Sequence, residues 1–313
     1  MGHLYKLTLP PPLNPKEYSK IMNKVLIIRR IGGLGDILMH RMMFEDFKRI
    51  LPGCHLTFAC PKKFHDVVLD HPFLDAVIDS ESITINEYAV IYDTTSACAR
   101  YEIAMAPFSG KNRSDIWANH CGIELKKHKM YIKIDENLLC NVKKQISILN
   151  PTQKPTVLFT PISAMLNKNL TSKHIKDIVV ELRNRGLFVY STHTGLIVEF
   201  QELNVPILQG DLKEWMTYVA AADYVVSVDT SVFHLAGGLS KPLTGIFTFT
   251  DGKVYGLHYD FVLVQKHRDN KNWDCGPCYN WTKCPKSNKN LKPCLTELTN
   301  NDILIGIDKM LEK

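Results

Sequence analysis

Short runs that are apolar at nearly every position recur along the chain, each followed by a polar turn and then by a stretch with helical spacing. Apolar side chains on successive positions suit a parallel strand covered on both faces; an antiparallel strand with one wet face would alternate. In the first half these runs fall at Lys24–Arg30, Leu56–Cys60, Ala76–Ile78 and Ala89–Tyr92. In the second half they fall at Thr156–Thr160, Leu187–Ser191, Tyr224–Val228, Leu243–Phe247 and Phe261–Gln265. Between them the spacing predicts helices over Asp36–Ile50, Lys62–Leu69, Ser114–His120 and 135–149, then Ser172–Arg185, Lys213–Ala221, Ser231–Leu239 and Asn301–Glu312. In the first of these, Ile37, Leu38, Met42, Met43, Phe47 and Ile50 share the inward face. Gly186 suits a helix C-cap, and Asn150-Pro151 breaks the pattern between the two series.

Strands alternating with helices imply parallel sheets with helices on both faces. Two such series, meeting near residue 150, predict an α/β protein of two Rossmann-like domains facing a central cleft: residues 21–150 and 151–313. A chain of 313 residues is long enough for two cores. Residues 1–20 carry Pro10, Pro11, Pro12 and Pro15 and read as an extended arm.

Composition narrows the class. With 45% hydrophobic and 22% charged residues the chain is a globular protein, not a disordered one. No apolar run approaches the roughly 18 residues of a membrane span, and no positive-then-apolar leader opens the chain. The expected compartment is therefore the cytoplasm. The net charge of +6 is concentrated in Lys126, Lys127, His128 and Lys129, and in Lys266, His267, Arg268, Lys271, Lys283, Lys286, Lys289 and Lys292. Such clusters are either solvated faces or attractors for an acidic partner, whether glycolipid, protein or nucleic acid. Of nine cysteines, Cys54, Cys60, Cys98, Cys121 and Cys140 are scattered, as small core residues are. Cys275, Cys278, Cys284 and Cys294 crowd into the stretch 274–295. A Cys-x-x-Cys turn with two further thiolates can close a tetrahedral structural site for iron or zinc; reduced thiols are the alternative.

Two strand ends carry candidate chemistry. After the first strand, Gly32, Gly33 and Gly35 lead into Asp36 at a helix start. The order fits neither the dinucleotide fingerprint, which needs glycine where Leu38 stands, nor a P-loop. Asp36 either caps the helix or places a carboxylate in the cleft, able to take a proton from a hydroxyl. After the strand Tyr224–Val228 come Asp229, Thr230 and Ser231, then a helix bearing His234. Polar side chains at the carboxyl end of a parallel strand beside a helix N-terminus form an anion site, which points to a phosphate-bearing ligand.

The early Gly33-Leu34-Gly35-Asp36 loop and the late Asp229-Thr230-x-x-x-His234-Leu-Ala segment together resemble the heptosyltransferases of glycosyltransferase family 9. So do Pro161 to His174 with Lys168, Asp211-Leu-Lys-Glu-Trp, Lys241-Pro242 and Phe247 to Asp251, all in family order across about residues 24 to 312. The resemblance implies a GT-B fold and an inverting transferase that moves a sugar from an ADP-sugar, ADP-heptose or a close relative, to an acceptor hydroxyl. The default acceptor is a lipopolysaccharide core sugar at the inner-membrane surface; a protein or a modified nucleobase is the alternative, and a nucleotide-sugar-binding protein without turnover is another class. By position Asp36 resembles the catalytic base and Lys168 the cation that meets the donor phosphates. Gly33, Gly35, Thr160, Ser163, Asp229, Thr230, Ser231 and His234 resemble the donor-binding set. Lys168 as a solvated lysine and His234 as a core histidine are the competing readings. The four cysteines resemble those of iron-binding heptosyltransferases that glycosylate autotransporters, which implies a structural metal and no metal in the catalytic step. A homo-oligomer is compatible with the resemblance. Ser231 and Val232 stand where many members have Gly and Pro, Ile162 and Ser163 replace Gly-Ala, and Thr248-Phe249 replaces Gly-Pro. Phe249 is expected to reshape the base or sugar pocket. Residues 93–113 are expected to form part of the acceptor surface.

Overall fold

The computed structural model describes residues 23–105, 110–193, 195–266, 284 and 292–313. The arm at 1–20 lies outside the described residues. The first half builds a four-stranded parallel sheet from β1 (Lys24–Ile28), β2 (His55–Cys60), β3 (Ala76–Asp79) and β4 (Val90–Asp93), in the order β3-β2-β1-β4. Its helices are α1 (Leu34–His40), α2 (Phe44–Ile50), α3 (Ala97–Met105), α4 (Arg113–His120) and α5 (Glu136–Leu149). The second half builds a five-stranded parallel sheet from β5 (Thr156–Thr160), β6 (Phe188–Tyr190), β7 (Tyr224–Val228), β8 (Leu243–Ile246) and β9 (Val262–Val264), in the order β6-β5-β7-β8-β9. Around it lie α6 (Ser172–Asn184), α7 (Val198–Glu202), α8 (Leu212–Ala221), α9 (Ser231–Gly238), α10 (Gly252–Tyr255), α11 (Pro293–Thr296) and α12 (Asn300–Leu311). Each apolar run of the sequence is a strand, and the register is parallel throughout.

The helices depart from the expectation in places. The helix expected over Asp36–Ile50 is broken by a 3-10 turn at Arg41–Met43. Arg41 is wholly buried there, donating to the carbonyls of Val67, Met130 and Tyr131 at 2.6–2.7 Å and to both Asp70 oxygens. A 3-10 turn holds 3.0 residues rather than 3.6, so the inward stripe changes phase. Ile50, expected inward, is 41% exposed as a result. The helix expected over Lys62–Leu69 is a 3-10 segment, Lys62–Val67. Conversely, α3 was not expected: Ile103 on it is 78% exposed, so the helix carries no apolar stripe to betray it.

The core runs through both halves. Phe44, Phe58 and Trp117 beside the first sheet belong to one apolar cluster with Val225, Phe233 and Phe247 of the second. A separate cluster, with Val157, Phe159, Ile178 and Val226, fills the other face of the second sheet under α12. Helix α1 packs on α9, and α5 packs on α8. These contacts turn the carboxyl ends of β1, β5 and β7 toward one shared cleft, where loops at strand ends bind ligands.

Candidate active site

The cleft holds a cavity of about 870 Å³. Its wall includes Asp36, Lys168, Gly33, Gly35, Thr160, Ser163, Asp229, Thr230, Ser231 and His234, so every candidate outside the cysteine set meets in one place. The β1–α1 loop supplies the first group. Gly32 has φ +142°, and a Cβ there would lie 2.7 Å from Arg29 Nη2 and 2.8 Å from Asp36 Oδ2. Only glycine lets the backbone turn under that ion pair. Gly35 serves packing: a Cβ on it would sit 3.0 Å from His234 Cδ2, so its absence allows α1 to approach α9. Among the described residues nothing lies within 4 Å of a Cβ added to Gly33.

Asp36 does not cap its helix. Gly33 holds the N-cap position, without a side-chain bond. The Asp36 carboxylate instead accepts one bond from each of two arginines, Arg29 Nη2 at 2.8 Å and Arg113 Nη1 at 2.9 Å. Burial opposes its charge, yet Arg113 and Arg29 outweigh burial and hold its carboxyl well below the usual carboxylate range. Behind it, His40 Nδ1 donates to the Asp36 carbonyl at 2.7 Å, its Nε2 meets Thr94 Oγ1 at 2.9 Å, and the ring stacks on Trp117. Burial pushes the His40 imidazole down to about 3, so it is neutral scaffolding.

The opposite wall comes from the second half. Lys168 Nζ pairs with Asp229 Oδ2 at 2.8 Å, and Thr250 Oγ1 donates to the same oxygen at 2.8 Å. Asp229 is 3% exposed, and burial is outweighed there by Lys168 and His234, so its carboxyl is lowered and charged. Lys168 is thus no solvated loop lysine; its side chain is largely buried against the cavity. Thr230 occupies the N-cap of α9 but its hydroxyl makes no capping bond, which leaves the helix terminus turned to the cavity. The hydroxyls of Thr160, at the end of β5, and Thr192, two residues past β6, are buried on the cavity wall without a hydrogen-bond partner among the described residues. A buried hydroxyl with no partner costs stability unless a ligand or water meets it. Ser163 is occupied with its own loop, its Oγ donating to the Met165 carbonyl at 3.1 Å. His234 is both core and wall: Nδ1 meets Tyr259 Oη at 3.2 Å, and burial pushes it down to about 4, opposed by Asp229 and assisted by Lys168.

Sequence reasoning missed Arg29, Arg113, Glu102, Tyr255 and Thr192. Arg29 directly follows the last residue of β1, a position that signals the cleft. Arg113 lies 77 residues from Asp36, and no local pattern marks it. Phe249, expected to reshape the base or sugar pocket, is buried beside this cavity's lining residues rather than among them, with Lys292 Nζ 5.0 Å from the centre of its ring. Of the metal candidates, Cys275 and Cys278 lie outside the described residues, while Cys284 and Cys294 are half-buried. Among the described residues, Asp115, His128 and His258 bring ligand-type atoms within 4.8 Å of one another. The two imidazoles stack at 3.6 Å, each Nε2 against a different oxygen of Asp115. Parallel rings aim their nitrogens side by side rather than at a common point, so the group is a hydrogen-bonded tie between the halves.

Comparison with known proteins agrees with this layout. Residues 101–260 match the family model Glycosyltransferase family 9 (heptosyltransferase). No curated protein matches in sequence. Among solved structures, the family 9 glycosyl transferase from Veillonella parvula superposes with a TM-score of 0.70 at 10% identity, covering 94% of this chain and 99% of that one. The E. coli ADP-heptose lps heptosyltransferase II gives 0.65 at 14% identity, covering 92% and 98%. TibC from enterotoxigenic E. coli, an iron-containing dodecameric glycosyltransferase also solved in complex with ADP-D-beta-D-heptose, gives 0.68 at 14% identity, covering 92% and 76%. At such identities these likenesses speak for the fold, two parallel α/β sheets of the GT-B kind. The match of the family model over half of the sequence is what makes the chain a member of glycosyltransferase family 9 (heptosyltransferase).

Proposed function

We propose that the protein transfers heptose, with inversion, from ADP-heptose to an acidic acceptor of the lipopolysaccharide core, working in the cytoplasm at the inner-membrane surface. Residues 21–150 form the acceptor domain and residues 151–313 the donor domain. One observation carries the reading: a carboxylate from the first half and a cation with an uncapped helix terminus from the second line the same cavity. Asp36 takes the proton of the acceptor hydroxyl as its oxygen attacks the anomeric carbon. The anomeric carbon–phosphate oxygen bond breaks, and the electron pair leaves on the diphosphate. Lys168 and the α9 amides meet that growing charge, as pre-aimed cations and dipoles do. Thr160, Thr192 and Thr230 offer hydroxyls to the donor, and Asp229 keeps Lys168 in place.

The donor is supported by the names of the structural relatives, two of which pair this fold with ADP-heptose. An acidic acceptor is supported by a second hollow of about 410 Å³ that overlaps the expected acceptor surface at Arg100, Tyr101 and Lys111 and extends beyond it to Ile116, Asn119 and His120. Cys275, Cys278, Cys284 and Cys294 hold a structural iron or zinc; four soft thiolates fit either ion. The ion supports the fold and takes no part in the transfer.

A thermal-shift series with ADP-heptose, UDP-sugars and NAD tests the class, followed by transfer assays on Asp36→Asn. Stabilisation by ADP-heptose alone, with binding kept and turnover lost in Asp36→Asn, is the expected result. Binding with no turnover in the unaltered protein, on any of the three acceptor classes, would make it a nucleotide-sugar-binding protein. Less than about one metal equivalent per chain, in protein purified without chelator, removes the cysteine site.

A further inference from the structure

Asp36 is a carboxylate in a nearly dry setting, with its side chain 13% exposed. A carboxylate drawn out of water binds a proton unless cations face it. Two do, and they are anchored differently. Arg29 belongs wholly to the first half: its Nη1 donates to the Thr94 and Thr95 carbonyls at 3.2 and 2.7 Å. Arg113 is held from both halves. Its Nε and Nη2 form a two-pronged bond, 2.8 Å each, to the oxygens of Glu102. Glu102 in turn accepts a bond from Tyr255 Oη at 3.1 Å, and the Arg113 guanidinium lies 5.1 Å from the centre of the Tyr255 ring. Tyr255 ends α10 in the second half. Next to Arg113, Asn112 Nδ2 donates to the Val254 and Tyr255 carbonyls at 2.9 and 3.0 Å.

We propose that Arg113 is a positioning residue that aims the Asp36 carboxylate into the cleft and supplies its counter-charge, and that Tyr255, through Glu102, ties this hold to the second half. The inference rests on the reading of Asp36 as the base. The path Asp36–Arg113–Glu102–Tyr255 is continuous from one wall of the cleft to the other. A fixed planar fork suits this task, since one guanidinium grips Glu102 with two nitrogens and aims a third at Asp36. Displacement of α10 relative to α4 would take the Tyr255 hydroxyl from Glu102 and its ring from Arg113, while Arg29 keeps all its anchors in the first half. The base is then fully formed only when the donor half is seated. Arg113 itself makes and breaks no covalent bond in the transfer.

Carbon-13 NMR of aspartate-carboxyl-labelled protein reads the charge on Asp36 whether or not the enzyme turns over, with Asp36→Asn identifying its resonance. Arg113→Gln leaves Glu102 buried and alone, so the balanced double variant Arg113→Gln/Glu102→Gln is the main test. Its Asp36 resonance should titrate at least about one pH unit above that of the unaltered protein, the scale of a lost adjacent opposite charge. Arg113→Lys keeps the charge but loses the fork: titration stays low, while kcat for transfer from ADP-heptose to heptose-less lipopolysaccharide falls about tenfold or more at little-changed KM, as misaim should cost. Tyr255→Phe should lower kcat in the same sense and by less. An Asp36 titration identical in the double variant and the unaltered protein overturns the counter-charge role. Full kcat in both Arg113→Lys and Tyr255→Phe overturns the positioning role. Unimpaired transfer by Asp36→Asn is a different failure, that of the base assignment itself.

Discussion

Asp229 and Lys168 show how one residue pair serves stability and chemistry together. Asp229 is 3% exposed and takes a charged bond from Lys168 and a neutral one from Thr250. Removing one partner of a buried pair leaves the other charge uncompensated, at a cost of about 3 kcal/mol or more. Lys168→Ala should therefore lower the urea midpoint as well as turnover, and lost activity alone would be ambiguous. Lys168→Met combined with Asp229→Asn removes both charges, so most of the stability should return while transfer stays lost. Recovery of transfer in the double variant would strip Lys168 of its phosphate role. In the sequence Lys168 was readable as a candidate only through the family resemblance. Its bond to Asp229 was not, because 61 residues separate them and only the pairing of β5 with β7 brings them together.

Helix α4 illustrates what holds an element to the rest of the molecule. Asn112 caps it, the side-chain oxygen accepting from Ser114 N at 3.0 Å and from Ser114 Oγ at 2.7 Å, while the amide nitrogen grips two carbonyls of α10. Aspartate caps a helix as well as asparagine does. Asn112→Asp nevertheless loses both donors and sets a charged oxygen against the Val254 and Tyr255 carbonyls. It should unfold at lower urea than Asn112→Ser, which keeps a capping oxygen without that repulsion; the reverse order would mean the contact with α10 carries no weight. Elements of this kind divide what can be read in a sequence. The central strands were legible because burial on both faces forces apolar residues at nearly every position, as in Tyr224–Val228. The break between α1 and α2 was not, because it depends on Arg41 finding Val67, Asp70, Met130 and Tyr131. Asp36 and the Asp229–His234 segment were legible because strand ends and helix starts are local features, whereas Thr160, Ser163 and Lys168 came through the family resemblance. Arg113 and Glu102 were not, since their meaning comes only from facing Asp36 and Tyr255.

For the whole molecule, the buried titratable groups set the response to acid. His40, His71 and His234 are buried, and burial first of all pushes them from 6.5 down to about 3, about 3 and about 4. Each binds its proton in the unfolded chain well before the folded one. Stability is then complete above about pH 6.5 and falls as pH drops below it, on the order of 1 kcal/mol per pH unit for each histidine. Asp36, Asp46, Asp115 and Asp229 act in a lower window: their folded carboxyls lie below the ordinary 3.8, so their contribution is present above that value and is lost as pH falls further. Acid should therefore weaken the protein in two stages, the first due to imidazoles and the second to carboxylates. His71 isolates the first stage. It lies outside the cleft, against Phe44, Phe73 and Tyr131, and accepts a bond from Phe73 N at 3.2 Å. His71→Gln keeps an acceptor for that amide and carries no titrating group. In urea unfolding measured from pH 7.5 to pH 4.5, its stability should fall less steeply than that of the unaltered protein, by about one third, with activity at pH 7.5 unchanged. An equal slope in the two proteins would show that His71 is protonated, or exposed to water, in the folded state.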